Sequence, residues 1–110
     1  MILVDTGPFV ALFDPRDPDH ASPGSSALRQ FIRRGGCALH AVDEGQLARC
    51  FELMDRYADR PMDLADASLV TAAETLRLTT VFTFDRDDFT TYRARIGKTY
   101  KRFRIVPTAE

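Results

Sequence analysis

The fold of this chain is constrained most by a pair of aspartates, each of which directly follows a short apolar segment. The opening MILVDTG is typical of a buried strand, Met1–Val4, that ends at Asp5. Thr79–Phe84 is β-branched and aromatic, which predicts a second buried strand, ending at Asp85. Parallel strands bring their carboxyl ends to one edge of a sheet, where open α/β sheets place their sites. We therefore expect Asp5 and Asp85 to be neighbours in space.

A helix that leads into the second strand supplies another acid. Asp63 fits an N-cap, and Asp66 falls three residues later, at the positive end of the helix dipole. Apolar residues then recur at helical spacing: Leu64, Ala67, Val70, Ala73 and Leu76. Asp66 should therefore lie close to Asp5 and Asp85, whereas Asp63 is interpreted as the cap.

The rest of the chain alternates between helical and extended patterns. Helices are predicted over Phe9–Phe13, His20–Arg34 and Glu44–Tyr57, and strands over Cys37–Val42 and Arg102–Val106. A turn and a short helix or loop around Phe89–Arg95 precede the last strand. The inner faces of the two longer helices are expected to consist of Ala27, Leu28, Phe31 and Ile32, and of Leu47, Phe51, Met54 and Tyr57. This order predicts one domain over residues 1–110, an α/β sandwich with a mainly parallel sheet.

Charge is unevenly distributed, although the net charge is only −1. Residues 89–109 contain no acid and six bases: Arg93, Arg95, Lys98, Lys101, Arg102 and Arg104. A basic arm beside an acidic cluster suits a polyanion that meets a metal ion, and Arg93, Arg95 and Lys98 are the candidate substrate-binding residues. The alternative is a solvated edge strand that carries protective charges.

The two cysteines and the hydropathy pattern bear on location. Cys37 and Cys50 have neither metal-ligand spacing nor a disulfide-framework pattern, so we expect reduced, structural thiols in a cytoplasmic protein. No signal peptide is predicted from the first 13 residues, and no apolar run approaches the ~20 residues of a membrane span.

Converging carboxylates predict a bound cation, because they repel one another unless a positive charge lies among them. Ligation by oxygen alone suits Mg²⁺ or Mn²⁺ and argues against zinc. Such an ion activates water and stabilises a phosphoryl transition state, so the predicted reaction is metal-assisted phosphodiester hydrolysis. Thr6, beside Asp5, is a candidate for orienting a ligand or water.

Three segments resemble the PIN domain, in the version carried by VapC-type toxins of bacterial toxin–antitoxin pairs. They are MILVDTGPFVALFD, PMDLADASLVTAAETL and VFTFDRDDF, in the family's order. The resemblance implies an α/β/α fold that binds Mg²⁺ or Mn²⁺, cuts RNA, forms a homodimer and is silenced by an antitoxin protein. It also implies that Asp5, Asp66 and Asp85 are catalytic metal ligands, with Asp88 as an additional acid in support.

The resemblance has a gap in the middle of the chain. Family members usually have, after the second helix, a strand and a helix that opens with a glutamate, and both are missing here. Glu44 is the nearest glutamate, but its context fits a later helix of the family. The alternative function is therefore a catalytically weakened PIN-like module that binds an antitoxin or RNA without cleavage.

Two other classes fit the sequence less well. Asp5-Thr6-Gly7 is also the signature of aspartic proteases, but those are all-β proteins, and residues 44–78 have a helical pattern. Phosphatases and receiver domains would require an acid pair near the first strand or a lysine at a late strand end, and the sequence has neither.

Overall fold

A computed structural model describes residues 1–5, 7–8, 14–35 and 40–108 of the chain. The elements of this part are β1 (Leu3–Val4), α1 (Pro23–Arg33), α2 (Glu44–Arg56), α3 (Leu64–Leu76), β2 (Thr80–Phe82), α4 (Arg86–Thr91), β3 (Arg93–Ile96), β4 (Thr99–Arg102) and β5 (Arg104–Val106). The mixed α/β class is therefore confirmed. No helix within these ranges is long and apolar enough to cross a bilayer.

The main sheet has three parallel strands in the order β1-β2-β5, so β2 lies at its centre. Leu3 pairs with Val81, and Val81 pairs with Ile105 on its other side. Strands β3 and β4 form a separate antiparallel hairpin. Gly97 in its turn has a φ of 64°, a left-handed conformation that glycine adopts without steric cost.

Aspartate side chains cap the N-termini of helices α2 and α3. Asp43 accepts the backbone N–H of Gln46 at 2.8 Å at the start of α2, and Asp63 accepts that of Asp66 at 2.8 Å at the start of α3. Helix α3 ends at Arg77, which adopts a left-handed φ of 56°. Asp63 is therefore a cap, as predicted.

The core lies between α3, α2 and the sheet. Its buried members include Leu3, Leu53, Val70, Val81, Phe89, Tyr92 and Phe103. A largely buried ion pair ties α2 to α3, because Arg49 donates through Nε and Nη2 to the two oxygens of Glu74, at 2.8 and 3.0 Å. Glu74 also accepts the backbone N–H of Arg95 at 2.7 Å, which fixes the hairpin to the same helix.

The predicted helix over His20–Arg34 begins three residues too early. Ser22 is the N-cap, accepting the N–H of Ser25 at 3.1 Å, and Pro23 occupies the first helical turn. Pro23 and Gly24 therefore lie in the first turn of this helix. A Cβ on Gly24 would lie 2.9 Å from Cγ of Pro107, so α1 packs too closely on β5 and its flank for a side chain there.

Three predicted strands are shorter or absent in the described ranges. The expected strand Thr79–Phe84 is confined to Thr80–Phe82. Only Leu3–Val4 of the expected Met1–Val4 strand pairs with a neighbour. His40–Val42 is not a strand, and the remainder of the predicted Cys37–Val42 strand lies outside the described residues. The predicted helix Phe9–Phe13 also lies outside them.

The predicted final strand Arg102–Val106 is wrong as a single element. Arg102 ends β4 in the hairpin, Arg104 begins β5 in the main sheet, and Phe103 between them turns inward. The ring of Phe103 packs edge to face on Phe89, with centroids 5.6 Å apart. The chain therefore passes from one sheet to the other at Phe103, where this one aromatic ring is buried.

The predicted inner faces of the helices are partly wrong. Leu47 and Phe51 of α2 are 38% and 54% exposed, whereas Cys50 and Leu53 are buried at 0% and 1%. Phe31 of α1 and Leu64 of α3 are also exposed, at 49% and 48%. Helix α2 carries apolar residues on two stripes, and periodicity alone does not decide between them. Cys50 is a free, buried thiol as expected, and Cys37 lies outside the described residues.

Candidate metal centre

Three carboxylates from two helix N-termini converge at the carboxyl end of β2. One oxygen from each of Asp66, Asp85 and Asp88 lies within 4.8 Å of the others. Asp66 and Asp88 are half-buried and Asp85 is exposed, so the cluster opens to solvent. The sequence predicted a set of Asp5, Asp66 and Asp85 with Asp88 in support. The structure brings Asp66 and Asp85 together, but the third carboxylate of the group is Asp88 and not Asp5.

Helix α3 positions Asp66 from its first turn. The phenolic O–H of Tyr92 donates to Oδ2 of Asp66 at 3.1 Å and restrains its carboxylate. Tyr92 is itself buried, with its ring edge to face against Tyr57 and Phe89 at centroid distances of 5.1 and 5.3 Å. A packed aromatic cluster therefore supports one carboxylate of the site.

Helix α4 positions the other two carboxylates. Asp85 is its N-cap and accepts the backbone N–H of Asp88 through Oδ1 at 3.4 Å, which places both side chains at the start of the helix. Oδ1 of Asp88 also accepts hydrogen bonds from Nε and Nη2 of Arg60, at 3.2 and 3.1 Å. Arg60 is thus the basic side chain in direct contact with the cluster.

Asp5 approaches the cluster from the end of β1. Its backbone N–H donates to the carbonyl of Phe82 at 2.9 Å, which extends the pairing of β1 with β2. The hydroxyl of Thr83 donates to Oδ2 of Asp5 at 2.7 Å and accepts the backbone N–H of Asp85 at 3.0 Å. Thr83 is buried and therefore joins Asp5 to the turn that carries Asp85.

The carboxylates of the cluster repel one another when no cation is present. Burial, and after it the negative charges of Asp63, Asp5 and Asp88, raise the pKa of Asp66 to about 6, although the hydrogen bond from Tyr92 lowers it. Burial likewise raises the pKa of Asp85, with contributions from Asp88 and Asp5. Burial and the charge of Asp66 raise the pKa of Tyr92 above its usual range. Asp5 therefore acts on both Asp66 and Asp85.

The donor set fits a hard divalent cation. Three carboxylate oxygens lie close enough to share one ion, and the repulsion that raises the pKa of Asp66 is relieved by a positive charge placed among them. Oxygen donors of this kind are those of Mg²⁺ and Mn²⁺. The residues that could hold the ion are Asp66, Asp85 and Asp88, with Asp5 adjacent through Thr83.

Two of the candidate substrate-binding residues, Arg93 and Arg95, make their hydrogen bonds to groups other than the three carboxylates. Nη1 of Arg93 donates to the carbonyls of Thr90, Thr91 and Tyr92 and so caps the end of α4. Arg95 lies beside Glu74, roughly 12 Å along the α3 axis from Asp66. Lys98 is in the hairpin turn beyond it, and Thr6 lies outside the described residues. Binding of substrate by Arg93, Arg95, Lys98 and Thr6 stays a prediction.

Sequence reasoning missed Tyr92 and Arg60. Tyr92 follows α4 by one residue and gives no spacing signal, because its contact with Asp66 depends on how the start of β3 packs beside α3. Arg60 precedes a proline in a loop, where an arginine is usually a solvated side chain. Its position six residues before Asp66 was the available signal. Glu44 is exposed in the first turn of α2 and is not part of the cluster formed by the described acids.

Comparison with known proteins finds no protein-family model and no curated protein that matches the chain. The likeness to PIN domains therefore rests on the sequence motifs alone.

Proposed function

We propose that this protein is a PIN-like, Mg²⁺- or Mn²⁺-dependent endoribonuclease of the VapC toxin type. The observation that carries the proposal is the convergence of the carboxylates of Asp66, Asp85 and Asp88 to within 4.8 Å. Asp5, joined to the same turn through Thr83, supports it. The three-stranded parallel sheet is compatible with a PIN-like sandwich.

Each residue has a distinct part in the proposed hydrolysis. Asp66, Asp85 and Asp88 hold the ion, and Asp5 adds negative charge beside them. A bound Mg²⁺ or Mn²⁺ would lower the pKa of a water molecule and offset charge on the phosphoryl group. Tyr92 keeps Asp66 oriented, as partners behind metal ligands commonly do. The basic hairpin would hold the RNA backbone at a distance from the reacting phosphate.

RNA cleavage with matched variants tests the proposal. Structured RNAs are incubated with the protein in Mg²⁺, in EDTA, and with Asp85→Asn or Asp87→Asn. Asp87 lies in the same turn of α4 but outside the cluster, so it is the control. We expect cleavage in Mg²⁺ that Asp87→Asn retains, and a loss of about 100-fold or more in Asp85→Asn. Cleavage that persists unchanged in EDTA or in Asp85→Asn would contradict the mechanism.

A binding module is the second candidate. The exposed residues Leu47 and Phe51 lie one turn apart on α2 and offer an apolar surface. In this alternative the domain, lacking the family's glutamate, binds an antitoxin or RNA without cleaving it. Failure of metal to bind at millimolar concentration, with RNA binding retained, would favour this function over the nuclease.

The proposed partners follow from the same family likeness. We propose an RNA substrate, an antitoxin protein and a homodimer, in a cytoplasmic setting where RNA is accessible. The exposed face of α2 is available for either protein contact. Sedimentation of the purified chain with and without a co-expressed antitoxin would measure both assemblies.

A further inference from the structure

Arg60 contacts the acidic cluster but is not one of the residues that could hold the metal ion. Its guanidinium places two nitrogens on one oxygen of Asp88, at 3.2 and 3.1 Å. Nη1 makes no hydrogen bond to any residue of the described ranges, and the side chain is 44% exposed. A guanidinium has five N–H donors in a planar fork, so much of this one still faces solvent.

We propose that Arg60 binds a nonbridging phosphate oxygen of the substrate beside the metal. This inference rests on the proposed function, since it assigns the substrate contact of the same site. Arginine binds phosphate oxygens in pairs through its fork, with more geometric specificity than lysine. Arg60 is placed for this by its bond to Asp88, which belongs to the cluster.

Charge explains why this contact depends on the metal. Without a cation, Asp5, Asp63, Asp66, Asp85 and Asp88 make the site strongly negative, and a phosphate would be repelled. The charge of Arg60 is then largely offset by Asp88. A divalent cation among the carboxylates would neutralise Asp88 and weaken its hold on Arg60. The guanidinium then has charge and donors available for an anion.

The same reasoning gives Arg60 two opposite effects. Arg60 and the metal are both positive, so each weakens the attraction of the carboxylates for the other. Removing Arg60 should therefore tighten metal binding slightly while it weakens phosphate binding. An arginine that only supported the local fold would weaken both or neither.

The experiment measures these two affinities on the intact chain. Mn²⁺ binding is followed by electron paramagnetic resonance, and binding of diethyl phosphate by the relaxation that bound Mn²⁺ causes in its ³¹P signal. Diethyl phosphate is a phosphodiester without base or sugar, and neutral triethyl phosphate is the ligand control. The variants are Arg60→Ala, Arg60→Lys and Arg16→Ala. Arg16 forms a comparable exposed pair with Asp14, at 3.0 Å, outside the cluster.

We expect Arg60→Ala to bind diethyl phosphate about 10-fold more weakly and Mn²⁺ about threefold more tightly than the wild type. The phosphate affinity of Arg60→Lys should lie between those of Arg60→Ala and the wild type. Both affinities of Arg16→Ala should match those of the wild type. If Arg60→Ala and the wild type, both loaded with Mn²⁺, bind diethyl phosphate with equal affinity, the assignment of Arg60 is overturned. The proposed function is not affected by that result. Failure of the wild type to bind Mn²⁺ contradicts the proposed function and removes the basis of this inference.

Discussion

At the scale of single residues, the site depends on hydrogen bonds that fix each carboxylate. Tyr92 and Thr83 are buried, and each connects one acid to a rigid part of the fold. Tyr92 donates to Asp66, one of the clustered carboxylates, and Thr83 donates to Asp5. Their substitution therefore separates the positioning of the ligands from the ligands themselves.

Tyr92→Phe should weaken metal binding and leave the fold intact. The variant keeps the ring that packs on Tyr57 and Phe89 but loses the O–H that donates to Asp66. We expect Mn²⁺ affinity to fall about 10-fold, with a change in unfolding free energy of about 1 kcal/mol or less. Tyr57→Phe is the control, since its hydroxyl accepts the N–H of Arg93 instead. A Tyr92→Phe protein with unchanged affinity would remove Tyr92 from the site.

Thr83→Val should reduce stability more than an ordinary core substitution. The isosteric change removes the hydroxyl that donates to Asp5 and that accepts the backbone N–H of Asp85. We expect a loss of about 2 kcal/mol in unfolding free energy, measured by urea denaturation. Thr71→Val is the matched control, because buried Thr71 has a weaker 3.4 Å contact with the sulfur of Cys50. Similar losses in both variants would show that Thr83 has no special structural role.

At the scale of elements, local chemistry predicted helices α2 and α3 well and the C-terminal strands poorly. Asp43 and Asp63 are strong caps, so α2 and α3 begin where the sequence predicted. The hairpin was missed because Ile96-Gly97-Lys98-Thr99 gives only a weak two-residue turn signal. The switch of sheets at Phe103 depends on a long-range contact with Phe89 that no local pattern contains.

The candidate site was predictable to a similar extent. The proximity of Asp5 and Asp85 follows from the rule that parallel strands share a carboxyl edge, and Asp66 was placed beside them from the start of the helix that leads into the second strand. Arg60 and Tyr92 meet the cluster only through the packing of loop and hairpin against α3 and α4. The exposure of Leu47 and Phe51 was also unpredictable, since the competing stripe with Cys50 and Leu53 is equally periodic.

Gly24→Ala tests the close packing of α1 on the main sheet. A Cβ would meet Cγ of Pro107 at 2.9 Å and Cε1 of Phe84 at 3.4 Å. Crowding should outweigh the gain in helix propensity, for a net loss of about 1 kcal/mol by urea denaturation. Gly45→Ala in α2 is the control, because its Cβ meets Asp43 at an ordinary 3.5 Å, and we expect a gain of about 0.5 kcal/mol. Stabilisation by both changes would contradict the packing described here.

At the scale of the whole molecule, the acidic cluster should make stability depend on pH. The pKa of Asp66 is raised from 3.8 to about 6 in the folded chain, first by burial and then by the neighbouring carboxylates. Its protonated form favours the fold fully below about pH 4, and that contribution is lost as pH rises through 6. Without metal, the wild type should therefore lose stability over this window relative to Asp66→Asn.

Thermal unfolding of wild type and Asp66→Asn at pH 4 and pH 8 measures this effect. We expect the difference in unfolding free energy between Asp66→Asn and the wild type to shift by about 1 kcal/mol in favour of Asp66→Asn from pH 4 to pH 8. This figure allows for solvent screening of a half-exposed group. That corresponds to roughly 4 °C in Tm. Mg²⁺ at pH 8 should stabilise the wild type more than the variant, because it binds only the folded site. A constant difference between the two proteins across pH would contradict the strained cluster.

Direct titration with Mn²⁺ tests the central claim, that the three clustered aspartates share one divalent cation. Isothermal calorimetry on the wild type, Asp66→Asn, Asp85→Asn and the control Asp87→Asn compares carboxylates inside and outside the cluster. The account predicts one Mn²⁺ per chain, an affinity at least about 10-fold weaker in Asp66→Asn and Asp85→Asn, and no change in Asp87→Asn. Absence of Mn²⁺ binding at millimolar concentration, or equal affinity in all four proteins, would contradict it.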